Sequence, residues 1–161
     1  MYVVWNQGYI NLEPMANNMT NLKRQFDLKA RDFVRAGEAS IEVQSILKKI
    51  GFDADCVRRV AVCAYEAEMN VVMHGGDGML VLTVEPRKIV LDFKDEGPGI
   101  ENVELALQEG YSTATSEYRE MGFGAGMGLP NIKKNADSLE IHSDKGKGTQ
   151  LKISITVREV S

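Results

Sequence analysis

Two pairs of short apolar, alternating segments, each pair joined by only a few turn residues, constrain this chain more than any other feature in it. Residues 80–84 and 89–93 are separated by Glu85-Pro86-Arg87-Lys88, and residues 139–142 and 149–157 flank Lys145-Gly146-Lys147-Gly148. A connection that short returns the chain antiparallel beside the strand it has just left, whereas parallel neighbours need a crossover of about a dozen residues or more. Both pairs therefore read as hairpins of one sheet. Around them the apolar period changes to that of a helix. Ala39, Val43, Ile46, Leu47 and Ile50 recur at helical spacing and stop at Gly51, which suits the left-handed residue that closes a helix. Val57, Val60, Ala61, Ala64, Ala67 and Val71 form a second helix that begins at Asp53 or Asp55, either able to cap it, and stops at Gly75-Gly76. Phe26, Leu28 and Ala30 alternate with charged residues as a half-buried strand does. Val103, Leu105, Ala106 and Leu107 suggest a short helix ending at Gly110, a polar run covers 111–120, and residues 129–136 restart as a helix. The order strand, helix, helix, two strands, helix, glycine-rich segment, helix, two strands implies α+β: a two-layer sandwich, its sheet mixed but mostly antiparallel, with helices on one face.

The chain of 161 residues is long enough for one core, and residues 25–161 read as a single domain. Residues 1–24 read as an N-terminal arm. Tyr2, Trp5, Tyr9 and the stretch Asn17-Asn18-Met19-Thr20-Asn21 sustain neither period, which leaves three fates open: pairing along a sheet edge, contact with a second subunit, or a loose tail. A net charge of −4 provides no global basic field for a nucleic acid backbone. No apolar run approaches the roughly 20 residues that cross a bilayer, and the N-terminus lacks a basic flank, apolar stretch and cleavage site, so a cytoplasmic protein with no membrane partner is expected. Cys56 and Cys63 stand two helical turns or about 10 Å apart, beyond disulfide reach, and read as buried free thiols.

Three groups of residues could carry chemistry. Glu66, Asn70 and His74 follow one another at helical spacing as a polar stripe on a helix whose other positions are small and apolar. A solvated face is the plain alternative for the stripe, and it is the reading for Glu68; His74, near the helix end, reads as a cap or packing residue. Asp95-Glu96-Gly97-Pro98-Gly99 puts a carboxylate at the end of a strand, followed by glycines that let the backbone turn tightly or approach a ligand. Alone it is most often a turn. Residues 122–128 carry glycine at every second position and lead directly into a helix, so they present several unencumbered N–H groups next to a helix N-terminus, as phosphate binding without a lysine fork requires. The spacing matches neither the dinucleotide G-x-G-x-x-G nor the G-x-x-x-x-G-K-[ST] loop. A flexible linker is the plain alternative here, and Lys133 and Lys134 read as surface charges.

In chain order these pieces spell E-x-x-x-N, D-x-G-x-G, G-x-G-x-G-x-G-L and, from Gly146 to Thr149, G-x-G-T. Their conjunction resembles the nucleotide site of the ATPase superfamily shared by type II topoisomerases, heat-shock-90 chaperones, histidine kinases and MutL. The short chain, with Glu109-Gly110-Tyr111-Ser112-Thr113 and Gly128-Leu129-Pro130, is similar to its anti-sigma-factor and switch serine/threonine kinases. The resemblance spans about residues 26–157 and implies the Bergerat ATP-binding fold with ATP or ADP and Mg²⁺ as ligands. By position it implies Glu66 as the catalytic carboxylate, Asn70 as the Mg²⁺ ligand, and Asp95 as the reader of adenine, with Gly97 and Gly99 shaping its pocket. Gly124, Gly126, Gly128 and Leu129 would form the phosphate-binding lid, Thr149 would lie near the base, and Arg119 would reach the γ-phosphate. It further implies phosphotransfer to an anti-sigma-antagonist-type (STAS) partner, with a sigma factor as a second client and a homodimer as the assembly. The alternative of a different class is a nucleotide-gated module that binds a regulator without phosphotransfer. The arm is longer than such kinases need, which puts the dimer arrangement in doubt, and the lid is richer in glycine than usual, which suggests greater mobility.

Overall fold

The computed structural model describes residues 1–6 and 21–158. Its strands are β1 (Tyr2–Asn6), β2 (Leu22–Leu28), β3 (Gly78–Glu85), β4 (Lys88–Asp95), β5 (Ser138–Ser143) and β6 (Thr149–Thr156). Its helices are α1 (Glu38–Ile50), α2 (Ala54–His74), α3 (Val103–Ala106), α4 (Ser116–Glu120) and α5 (Gly128–Asn135). The strands form one sheet in the order β1-β5-β6-β4-β3-β2, and every neighbouring pair is antiparallel. Both hairpins are present. The β3–β4 register, with Glu85 opposite Lys88, leaves Pro86 and Arg87 as a two-residue turn, where the missing proline N–H removes no ladder bond.

The alternation in the strands decides what the sheet covers. Leu80, Leu82 and Val84 of β3, Ile89, Leu91 and Phe93 of β4, Leu151, Ile153 and Ile155 of β6 and Leu139 and Ile141 of β5 are all buried in one cluster with the apolar stripes of the helices. α2 and α5 lie against the sheet and α1 packs on α2. Val60, Cys63, Ala64 and Ala67 of α2 have no exposed surface, and their small size lets this helix approach the sheet closely. Burying a side chain such as Val60 contributes roughly 1.5–3 kcal/mol, and many such contacts hold α2 in place. The Asp53 carboxylate caps α2, accepting from the N–H groups of Asp55 and Cys56, each at 3.0 Å, an arrangement worth about 1 kcal/mol. Gly51, at φ 97°, closes α1 in the left-handed region, as its position after Ile50 suggests.

Three local features differ from, or add to, the sequence reading. Glu68 is not solvated; it is 2% exposed. The residue at the N-cap of α1 is Gly37, which has no side chain to cap the helix, and Glu68 fills that role from α2, accepting from Gly37 N at 3.0 Å, Ala39 N at 3.3 Å and Ser40 N at 2.9 Å. The polar run 111–120 contains α4, capped by Thr115 Oγ1 on Tyr118 N at 3.4 Å. Tyr2–Asn6 takes the sheet-edge course among the three left open for the arm, with Val3 opposite Ile141 on β5. Tyr9 and residues 17–20 lie outside the described residues.

Candidate functional site

A cavity of about 580 Å³ opens where α2, the end of β4, the start of β6 and the glycine-rich segment meet. That is within the range of a small-molecule site, roughly 300–1,000 Å³. Glu66, Asn70, Asp95, Gly99, Gly124, Gly126, Gly128, Leu129 and Thr149 all line it, although they come from stretches far apart in the chain. Gly97 is buried immediately behind the wall, and Arg119 lies exposed on α4 outside the lining.

At one end Glu66 and Asn70 stand one turn apart on α2, both half-buried. The N-terminus of α5 faces them: a Cβ placed on Gly128 would lie 3.4 Å from both Glu66 Oε2 and Asn70 Oδ1. The absent side chain thus leaves an open approach to a carboxylate oxygen and an amide oxygen together. The other carboxylate oxygen is already engaged, since Asn131 Nδ2 donates to Glu66 Oε1 at 2.7 Å. The motif reading missed Asn131. Its only signal is a polar residue between Pro130 and Ile132, both buried, on the first turn of α5, and nothing local says that this turn meets α2.

At the other end Asp95 finishes β4 opposite Thr149 of β6. Burial pushes its carboxyl above the ordinary carboxylate range, while the N–H groups of Gly97, Thr149 and Gly76 oppose the rise. The Gly97 bond, N to Asp95 Oδ1, measures 2.8 Å. Gly97 packs its backbone on Gly75 and Gly76 so closely that a Cβ would collide with them, and Gly99, at φ 77°, is similarly wedged against the Asp144 carbonyl. Thr149 Oγ1 and Ser143 Oγ are 2.8 Å apart, and Ser143 Oγ accepts from Ile100 N at 2.7 Å, which ties the hydroxyl end of the cavity to the loop after β4. Phe93, Ile100, Ala106 and Leu151 supply apolar wall on this side.

The glycine-rich segment closes the remaining side. Gly126 O accepts from Gly110 N at 2.9 Å, and Gly124 sits directly on Ala114. Phe123 stacks on Phe33 at 5.8 Å between ring centroids, and Tyr118 meets the same ring at 5.6 Å. His74 has Tyr118 at its edge, 6.2 Å away, and burial lowers its pKa, so it stays neutral and packs, as its position suggested. Cys56 and Cys63 are buried free thiols, pushed up to about 11 and about 12 by burial, which leaves both chemically quiet.

The residues suit a Mg-nucleotide. One end offers amide and carboxylate oxygens beside a helix N-terminus with the side chain removed, and the other offers a carboxylate framed by backbone donors beside apolar wall. Among the described residues no group of three His, Cys, Asp or Glu forms a cage, and Mg²⁺ needs none, since it keeps water and phosphate oxygens and takes one or two ligands from protein.

A model of the histidine kinase-like ATPase domain matches residues 30–155. The Anti-sigma F factor of Caldanaerobacter subterraneus is 29% identical over 143 residues, covering 86% of this chain and 93% of that protein. The Anti-sigma F factor of Clostridium acetobutylicum is 28% identical over 118 residues, with 70% and 79% covered. The serine/threonine-protein kinase RsbT of Bacillus subtilis is 25% identical over 112 residues, with 67% and 78% covered. The matched family span begins ahead of α1, runs into β6 and includes every residue that lines the cavity, so the chain belongs to the histidine kinase-like ATPase domain family.

Proposed function

We propose that this protein is an ATP-dependent serine/threonine protein kinase that phosphorylates an anti-sigma-antagonist-type partner and also engages a sigma factor. The observation that carries the reading is the state of Glu66: one carboxylate oxygen is held by Asn131, and the other faces the α5 N-terminus beside Asn70. The names of the relatives, Anti-sigma F factor and serine/threonine-protein kinase, support the same choice. ATP with Mg²⁺ supplies the phosphoryl group and the charge neutralisation its transfer needs. Asn70 Oδ1 would ligate the metal without adding negative charge beside a triphosphate. The Asp95 carboxylate would accept from the exocyclic amine of adenine, with Gly97 and Gly99 shaping the base pocket and Thr149 beside it. The backbones of Gly124, Gly126 and Gly128 would receive phosphate oxygens, with Leu129 anchoring the helix behind them. Glu66 would take the proton from the attacking serine or threonine hydroxyl, the work an aspartate does in ordinary protein kinases.

Access supports that role. Tyr65 and Glu66 also border a shallower groove along α1 and α2, lined by Lys48, Phe52, Val57 and Arg58. A partner lying there would bring its hydroxyl to Glu66 without entering the nucleotide cavity. Incubation with radiolabelled ATP and a panel of STAS-domain proteins tests the reading, and label on a serine or threonine of one of them is expected. Adenine nucleotide binding with no label on any partner would favour the nucleotide-gated binding module instead.

A further inference from the structure

We infer that Asn131 is a positioning residue for Glu66: its side-chain amide fixes one carboxylate oxygen so that the other is presented to the incoming hydroxyl. The inference rests on the kinase reading for its purpose, and on geometry for its substance. Asn131 Nδ2 lies 2.7 Å from Glu66 Oε1, the short distance of a hydrogen bond to a charged acceptor. The carboxylate accepts only, so the amide must turn its NH₂ toward it.

What distinguishes Asn131 from a casual surface partner is how firmly its own backbone is held. Its N–H donates to Met127 O at 2.8 Å, and its carbonyl accepts from Asn135 Nδ2 at 2.9 Å. Asn135 in turn is gripped from α2, with Arg58 Nη1 on its side-chain oxygen at 3.2 Å and Arg59 Nε on its carbonyl at 2.9 Å. Arg59 continues to the buried Asp137 at 2.8 Å. Helix α5 is thereby locked along α2, and the amide at position 131 is aimed from a framework rather than from a loop. That matters because a flexible glutamate has several rotamers, and a general base contributes only in those that place its free oxygen within hydrogen-bond reach of the reacting hydroxyl. The same turn of helix begins at Gly128, so the contact of Asn131 also fixes the helix N-terminus that faces Glu66.

Two measurements on the full chain decide it. In nitrogen-resolved NMR spectra of the ligand-free protein, one side-chain amide proton of Asn131 should lie downfield of the other, and in Glu66→Gln that displacement should vanish. In phosphotransfer to a labelled STAS partner, Asn131→Ala should lower kcat about tenfold with ADP affinity and melting temperature near those of the unchanged chain. Asn131→Gln, which keeps a side-chain NH₂ able to donate to the carboxylate, should recover part of that loss, with KM for ATP unchanged in both variants. A purely structural asparagine would show its loss in melting temperature and not in kcat alone. An Asn131 amide that is unchanged in Glu66→Gln would overturn the inference, as would unchanged kcat in Asn131→Ala alongside a dead Glu66→Ala. If the unchanged chain labels no partner while its Asn131 amide still tracks Glu66, the kinase reading fails and the fixed carboxylate stands.

Discussion

Glu66 and Glu68 leave α2 two residues apart and meet different surroundings. Glu68 points toward the start of α1, is almost entirely buried, and spends both oxygens on three backbone N–H groups. Glu66 points toward the cavity, is half-buried, has one oxygen on Asn131 and has the other facing the gap left by Gly128. The first is a carboxylate whose capacity is used by the fold; the second retains capacity for something the fold does not provide. Residue type and spacing do not separate them, because both are glutamates on one helix. The difference lies in which neighbour comes opposite each.

Substitutions on the two sides should therefore fail in different assays. The largest effect expected is on phosphotransfer in Glu66→Ala, a loss of about 10²–10⁴-fold, with nucleotide affinity and folding retained. Glu68→Ala should show the reverse: about 3 kcal/mol or more lost from stability in urea unfolding, since three buried donors lose their acceptor, and kinetics close to normal in whatever fraction stays folded. Equal loss of stability in both variants would break the comparison.

Asp95 sharpens it from the far end of the cavity. Its folded-state pKa is raised above the ordinary 3.8, burial being the largest cause. A raised acid favours the protonated native state, so the associated stability is present below the ordinary value and is lost as pH rises through the raised one. At neutral pH the ionised Asp95 is thus kept at a cost to the fold. Asp95→Asn should leave the melting temperature of the ligand-free protein equal or higher while weakening ADP by about 10- to 100-fold, as loss of a charge-assisted bond does. In the unchanged chain, ADP affinity should begin to fall on acidification at a pH above that of an ordinary aspartate. A lower melting temperature with unchanged affinity would assign Asp95 to the fold, beside Glu68. The smallest effect is expected at Arg119, whose position on the exposed face of α4 predicts that Arg119→Ala changes nucleotide affinity by no more than about twofold; a tenfold loss would mean that the lid brings it to the phosphates.

Much of the framework was legible because its causes are local. A short turn between alternating segments dictates a hairpin, Gly51 ends α1 because it accepts a left-handed φ, and Asp53 begins α2 because its carboxylate reaches the first free N–H groups. The motif residues that meet at the cavity were also readable as a set, since their order along the chain is itself the signal. What escaped was decided by contacts distant in sequence. Glu68 is buried because the N-cap of α1 is a glycine 31 residues earlier. Asn131 faces Glu66 because α5 lies along α2, 65 residues away. Tyr2–Asn6 extends the sheet because β5 has an open edge, which no period within the first residues announces. The short helix α4 hides in a polar run because its exposed residues have no apolar stripe to show.

The central claim is that Glu66, Asn70, Asp95 and the glycine-rich segment surround one Mg-nucleotide. Calorimetric titration of the ligand-free chain with ATP and ADP, with and without Mg²⁺, tests it most directly. The account predicts saturable binding of both nucleotides that is tighter with Mg²⁺, and loss of the Mg²⁺ increment in Asn70→Ala. Absence of heat and of any melting-temperature shift with either nucleotide, in the presence of Mg²⁺, would contradict it.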